Sequence, residues 1–157
     1  ILDKTGKVYK EIWAAKKRGV LFDCSNGRTH FAFAVAKQAL REGFLPDIIS
    51  TDLVVKSLYC DVVFGLPYVM SKYLHLGVKL IDIVRACTVT PAKFLKLEGQ
   101  IGTLRPGACA DIAIFKLMKH RTSFKDSEGC EEIGEQLLVP QMTVLNGRIA
   151  FRQIYFQ

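Results

Sequence analysis

A chain of 157 residues, half of them hydrophobic and 24% charged, falls in the range of one soluble globular domain and outside the disordered and fibrous compositions. The formal net charge of +7 is scattered: its densest cluster, Lys16-Lys17-Arg18, falls at a predicted helix end, and no basic run alternates with aromatics, so no nucleic-acid partner is expected. No apolar run reaches the roughly 18 residues of a membrane span, the opening residues do not read as a signal peptide, and the five cysteines include no C-x-x-C pair; reduced thiols, no membrane partner and a cytoplasmic location are expected.

Residues 7–18 place Val8, Ile12, Trp13 and Ala15 near one helical face, and Gly19 ends the pattern. Residues 20–22, Val-Leu-Phe, read as a short buried strand of a parallel sheet, followed by a polar loop over 23–29. An Ala-rich helix is predicted over 30–42, with Gly43 and Pro46 as its stop. Ile48 and Ile49 form a second short buried strand that ends at Ser50-Thr51-Asp52. In α/β sheets, ligand sites gather at the C-terminal ends of the strands. Asp23 and Asp52 are therefore candidates there, Asp23 equally as a turn or helix-capping residue.

Residues 53–65 are irregular. Helices are predicted over 66–76, with Pro67 in the first turn, and over 80–87, and a further short one opens with Thr90 as N-cap and Pro91 at the first helical position. After Gly99 the pattern changes to strands and turns. Arg105-Pro106-Gly107 suits a type II turn, strands are expected over 111–117, 121–125, 136–145 and 148–154, and Asn146-Gly147 marks a hairpin. Asp111 reads as structural, His75 and His120 as solvated, and Cys24 as a plain thiol with no His spaced to activate it.

Several runs resemble the amidohydrolase superfamily. Residues 102–112, Gly-Thr-Leu-Arg-Pro-Gly-Ala-Cys-Ala-Asp-Ile, resemble its closing motif G-T-L-x-P-G-x-x-A-D-I, with Thr90-Pro91-Ala92 shortly upstream. Residues 17–23 with Asn26-Gly27, Phe31 and Phe33, then Gly43-Phe44-Leu45-Pro46-Asp47-Ile48-Ile49-Ser50-Thr51-Asp52, are similar to the deacetylase branch, as are residues 67–72 and 138–140. The resemblance covers almost the whole chain. It implies a (β/α)8 barrel beside a small β-sandwich, and hydrolysis of amide or cyclic amide bonds of the N-acyl amino acid or dihydroorotate type.

A full barrel takes roughly 250 residues. The expected fold is therefore α/β: an incomplete (β/α)8 TIM barrel, its last two βα units within residues 1–97, followed by β-sandwich strands within 98–157. Strands seven and eight of the barrel would be residues 20–22 and 48–50. The resemblance also implies one or two divalent metals, zinc foremost, held by a His-x-His pair, a lysine, two further histidines and an Asp. Of these only the Asp maps here, to Asp52, as metal ligand and general base. Asn26 stands where relatives tend to carry His, and His30 where they usually carry Ser; with Gly27 these are the candidate substrate-pocket residues. Asn26 keeps hydrogen-bonding capacity but does not titrate near neutral pH. Three ligands are the minimum for such a metal, so the chain alone is expected neither to retain a metal nor to turn over a small-molecule amide. A homo-oligomer, or pairing with a missing N-terminal half, is expected to cover its open strands.

Overall fold

Two apolar clusters organise the chain. The smaller joins Val8, Ala39 and Phe44, with Ile12, Trp13 and Phe22 packed against them; Trp13 and Phe22 both meet the Phe44 ring edge-on. The larger gathers Phe31, Phe33, Ile49, Val63, Val69, Tyr73, Ile83 and Phe124 among others. The elements that carry these residues come from a computed structural model describing residues 1–58 and 60–155.

Helix α1 spans Lys10–Lys17. It opens later than the pattern from residue 7 because Val8 pairs with Leu2 in an antiparallel bridge and the Tyr9 N–H donates to Ile1 O at 3.2 Å. Strand β1 is Asp23–Ser25, not residues 20–22. Val20 and Leu21 are exposed, and Phe22 O instead accepts the N–H groups of Asp47 and Ile48. Strand β2, Ile48–Ser50, pairs in parallel with β1 in the register Asp23↔Ile48, Cys24↔Ile49, Ser25↔Ser50. Between them α2 spans Phe33–Arg41. It starts three residues after the expected point, because Phe31 and Phe33 are drawn into the core and leave His30 outside the helix.

A 3-10 turn at Val55–Ser57 follows β2. Helices α3, Leu66–His75, and α4, Leu80–Cys87, lie where the pattern placed them. Helix α5 is Val89–Phe94 with Thr88, not Thr90, at its N-cap position, so Pro91 falls at the third helical position. The Thr88 hydroxyl donates back to Val84 O at 2.7 Å and caps nothing.

The rest is a three-stranded antiparallel sheet in the order β3-β4-β5, with β3 Ile112–Lys125, β4 Glu131–Leu145 and β5 Arg148–Arg152. The two strands expected over 111–117 and 121–125 are one, interrupted by a register shift between Lys119 and Thr122 that contains His120. Asn146 and Gly147 both have positive φ, +48° and +74°, as the tight hairpin turn requires. Asp111 accepts the Asn146 N–H at 2.7 Å, a structural role that steadies this turn.

The tip of the β3–β4 hairpin folds back onto α2. Asp126 is buried and accepts from the N–H groups of Phe33, Glu128 and Cys130 at 2.9, 2.9 and 2.8 Å. Nearby, Glu132 on β4 takes Lys37 of α2 at 2.6 Å and His75 of α3 at 2.8 Å. His75 is thus largely buried in an ion-pair cluster and edges the Phe33 ring, correcting the expectation of a solvated side chain. The strands form no closed barrel among the described residues, and no helix there is long and apolar enough to cross a membrane.

Candidate functional site

The shift of β1 by three residues decides the site. With Ser25 opposite Ser50, both strands end at one level and open into adjacent turns, 26–27 and 51–52. Asn26 N–H donates to Ser50 O at 3.2 Å, and Gly27 N–H to Thr51 O at 2.9 Å, so the first turn is clamped to the second. Asp23, expected at the strand's end, instead begins it and accepts the Ser50 hydroxyl at 2.7 Å.

Asp52 adopts φ +48°, in the left-handed region. Among non-glycine residues Asn and Asp visit that region most readily; Phe64, Lys96 and Asn146 also adopt it here. Its Oδ2 lies 3.2 Å from His30 Nδ1, with both side chains substantially exposed. Gly27 makes room for this pair. A Cβ there would lie 2.7 Å from His30 Nδ1 and 3.1 Å from Asp52 Oδ2, and φ is +49°. A glycine is therefore favoured on steric and backbone grounds together, since any Cβ there would displace His30 or Asp52.

Asn26 has no solvent exposure. Its Nδ2 donates to Gly27 O at 3.3 Å and Val62 O at 3.2 Å, while Oδ1 has no partner among the described residues. The side chain thus holds the turn from below and presents nothing to the exposed carboxylate. Asp52, His30, Gly27 and Asn26, singled out in the sequence, come together at one strand end. His120 is distant from them in the β3 bulge, where Nδ1 lies 3.1 Å from Thr122 Oγ1. Cys24 points into the core, and burial pushes its thiol above the ordinary value, which disfavours a nucleophilic thiolate. Beside the site a cavity of about 260 Å³ is lined by His30, Ser25 and apolar side chains including Phe31 and Phe44.

The metal implied by the resemblance does not fit this chain's donors. Among the described residues no group of three or more His, Cys, Asp or Glu side chains is placed to hold one ion. One carboxylate beside one imidazole falls short of three protein ligands.

Two features were not legible beforehand. Lys72 is fully buried beneath the site, and its ammonium donates to the same Val62 carbonyl that Asn26 reaches. It lies in the 67–72 run, but its burial has no sequence signal, because a lysine at this spacing reads as a solvated helix face. The Glu132–His75 contact joins residues 57 apart in sequence, and no local pattern announces it.

The model of the amidohydrolase family matches residues 8–149. A deacetylase of Enterococcus faecalis is 34% identical over 150 residues, covering 95% of this chain and 40% of its own length. A deacetylase of Brucella anthropi is 33% identical over 127 residues, or 81% of this chain and 31% of its own. The chain therefore spans well under half of these curated relatives. Among solved structures, an adenine deaminase superposes with a TM-score of 0.91 at 32% identity, over 98% of this chain and 41% of that one. A dihydroorotase follows with 0.80 at 29%, over 92% and 39%. With a family match over nearly its whole length, the chain belongs to the amidohydrolase family.

Proposed function

We propose that this chain is the C-terminal segment of a metal-dependent amidohydrolase that hydrolyses amide or cyclic amide bonds, of the N-acyl amino acid deacetylase or dihydroorotase-like kind. In this reading β1 and β2 are the last two strands of a (β/α)8 barrel, residues 98–157 belong to a small β-sandwich, and the divalent metal, zinc foremost, takes its other ligands from outside these residues. The single observation that supports it is Asp52: a carboxylate held in the left-handed region at a parallel-strand end, against His30 and over a glycine whose added Cβ would crowd both side chains. Such a carboxylate can accept a proton from an attacking water and return it to the leaving nitrogen, while His30 fixes its orientation. By itself the chain supplies too few ligands for turnover.

The test is Asp52→Asn in the complete protein. The expected outcome is loss of hydrolysis of N-acetyl amino acids and of dihydroorotate-like rings, with the far-ultraviolet circular dichroism unchanged. Retained turnover removes Asp52 from the chemistry and the reading with it.

A second reading, an association module that pairs with itself or with a missing N-terminal half, has its own support. Among the described residues the two-stranded sheet leaves an unpaired edge on each strand. Leu53, Val54, Val55, Leu58 and Phe64, near the strand ends, are all exposed, Val55 to 90%. Open edges and apolar patches of this kind are ordinarily covered by another chain or segment.

A further inference from the structure

Lys72 has no solvent exposure, although it lies on a helix that has room for charge elsewhere. Its Nζ sits 4.8 Å from the Phe31 ring centroid and 5.3 Å from that of Tyr68. Burial drives its pKa down to about 8, against the opposing pull of the Asp126 charge. Taking an ammonium out of water is costly, and an apolar side chain of similar length would pack among these rings without that cost. Core filling therefore does not account for the amine, and what it holds must.

Among the described residues it holds one oxygen. Val62 O accepts from Lys72 Nζ and, at 3.2 Å, from Asn26 Nδ2. That carbonyl thus ties α3, the segment after β2 and the turn after β1 at a single point. The link continues through Asn26 to Gly27, whose N–H is 2.9 Å from Thr51 O and whose Cα faces Asp52 Oδ2 and His30 Nδ1. We propose that Lys72 is a positioning residue, its amine anchoring the Val62 carbonyl and thereby the Asn26–Gly27 turn that fixes where Asp52 and His30 meet. The role rests on the reading of Asp52 as the proton acceptor, but its test needs no turnover.

Lys72→Met in the complete protein keeps the length of the side chain and removes its donors. Amide hydrogen exchange at Asn26 and Gly27 should accelerate on the order of tenfold or more. The Leu138 amide, bonded to Ser71 Oγ at 2.9 Å, should keep its protection, and the urea midpoint should not fall. Lys72→Gln, which retains a donor, should restore part of the protection at Gly27. Unchanged exchange at Gly27 in the Met variant, or a uniform rise at Gly27 and Leu138 alike, overturns the proposal. Should the Met variant not fold, Asn26→Ala cuts the same link from the other side and must show the same local pattern; equal exchange at Gly27 and in the wild type overturns it there. In the complete protein, Lys72→Met should lower kcat with KM little changed. Absence of amide hydrolysis in the wild-type complete protein would defeat the Asp52 reading while leaving the exchange result standing.

Discussion

Replacing Gly134 by alanine puts a methyl group into the edge of the Phe124 ring. A Cβ built at Gly134 falls inside contact distance of Phe124 Cε2, lies 3.0 Å from Cδ2, and has His75 Cβ at 3.4 Å behind it. The ring has nowhere to go. Phe124 is fully buried, with Tyr68 at 5.1 Å and His75 at 5.8 Å between ring centroids. Restoring an ordinary separation means moving a ring wedged between α3 and the hairpin. Overpacking of this kind costs about 1–3 kcal/mol, which for a chain of this size lowers Tm by roughly 2–12 °C. Urea denaturation followed by far-ultraviolet circular dichroism gives the free energy by linear extrapolation. Trimming the ring should relieve the clash, so Gly134→Ala with Phe124→Leu should cost less than the sum of the two single changes, by about 0.5 kcal/mol or more. A loss below about 0.3 kcal/mol for Gly134→Ala, or strict additivity in the double variant, refutes the packing argument.

Two further outcomes are expected. Burial pushes the Glu132 carboxyl up, but hydrogen bonds from Lys37 and His75 outweigh it and hold the group below its usual 4.5. A depressed folded-state value means that Glu132 stabilises the fold above the ordinary carboxylate range and loses that contribution as pH falls through the lowered value. The urea midpoint of the wild type should therefore exceed that of Glu132→Gln at about pH 7, and the gap should shrink toward about pH 3; a gap independent of pH contradicts the clamp. For the exposed strand edges, light scattering on the isolated 157-residue chain should report an oligomer, and a monomer at every concentration tested removes self-association.

Much of the helical half was legible because its signals are local. Gly19 and Gly43 terminate α1 and α2 with positive φ, and Pro67 opens α3 in its first turn. Strand β1 was misplaced for the opposite reason. Val20-Leu21-Phe22 is the more apolar run, yet register with β2 is fixed by partners about 25 residues away, beginning with the Asp47 and Ile48 amides on Phe22 O. Hydrophobicity does not encode register. Residues 131–135 carry no strand signal because Glu131, Glu132 and Glu135 break the apolar pattern, although Glu132 turns inward to meet Lys37 and His75. At the site, the position of Asp52 was visible through the resemblance of residues 43–52, whereas its backbone conformation, the steric demand at Gly27 and the buried amine of Lys72 arise from the meeting of three separate segments.

The contact between Asp126 and the Phe33 amide has a consequence for the order of events during synthesis. The acceptor that completes the start of α2 lies 93 residues downstream. At roughly 5–20 residues per second, translation leaves that amide without its carboxylate for about 5–20 s. Over that interval the Phe33 amide lacks its acceptor, so the start of α2 is completed only once the hairpin has emerged and docked.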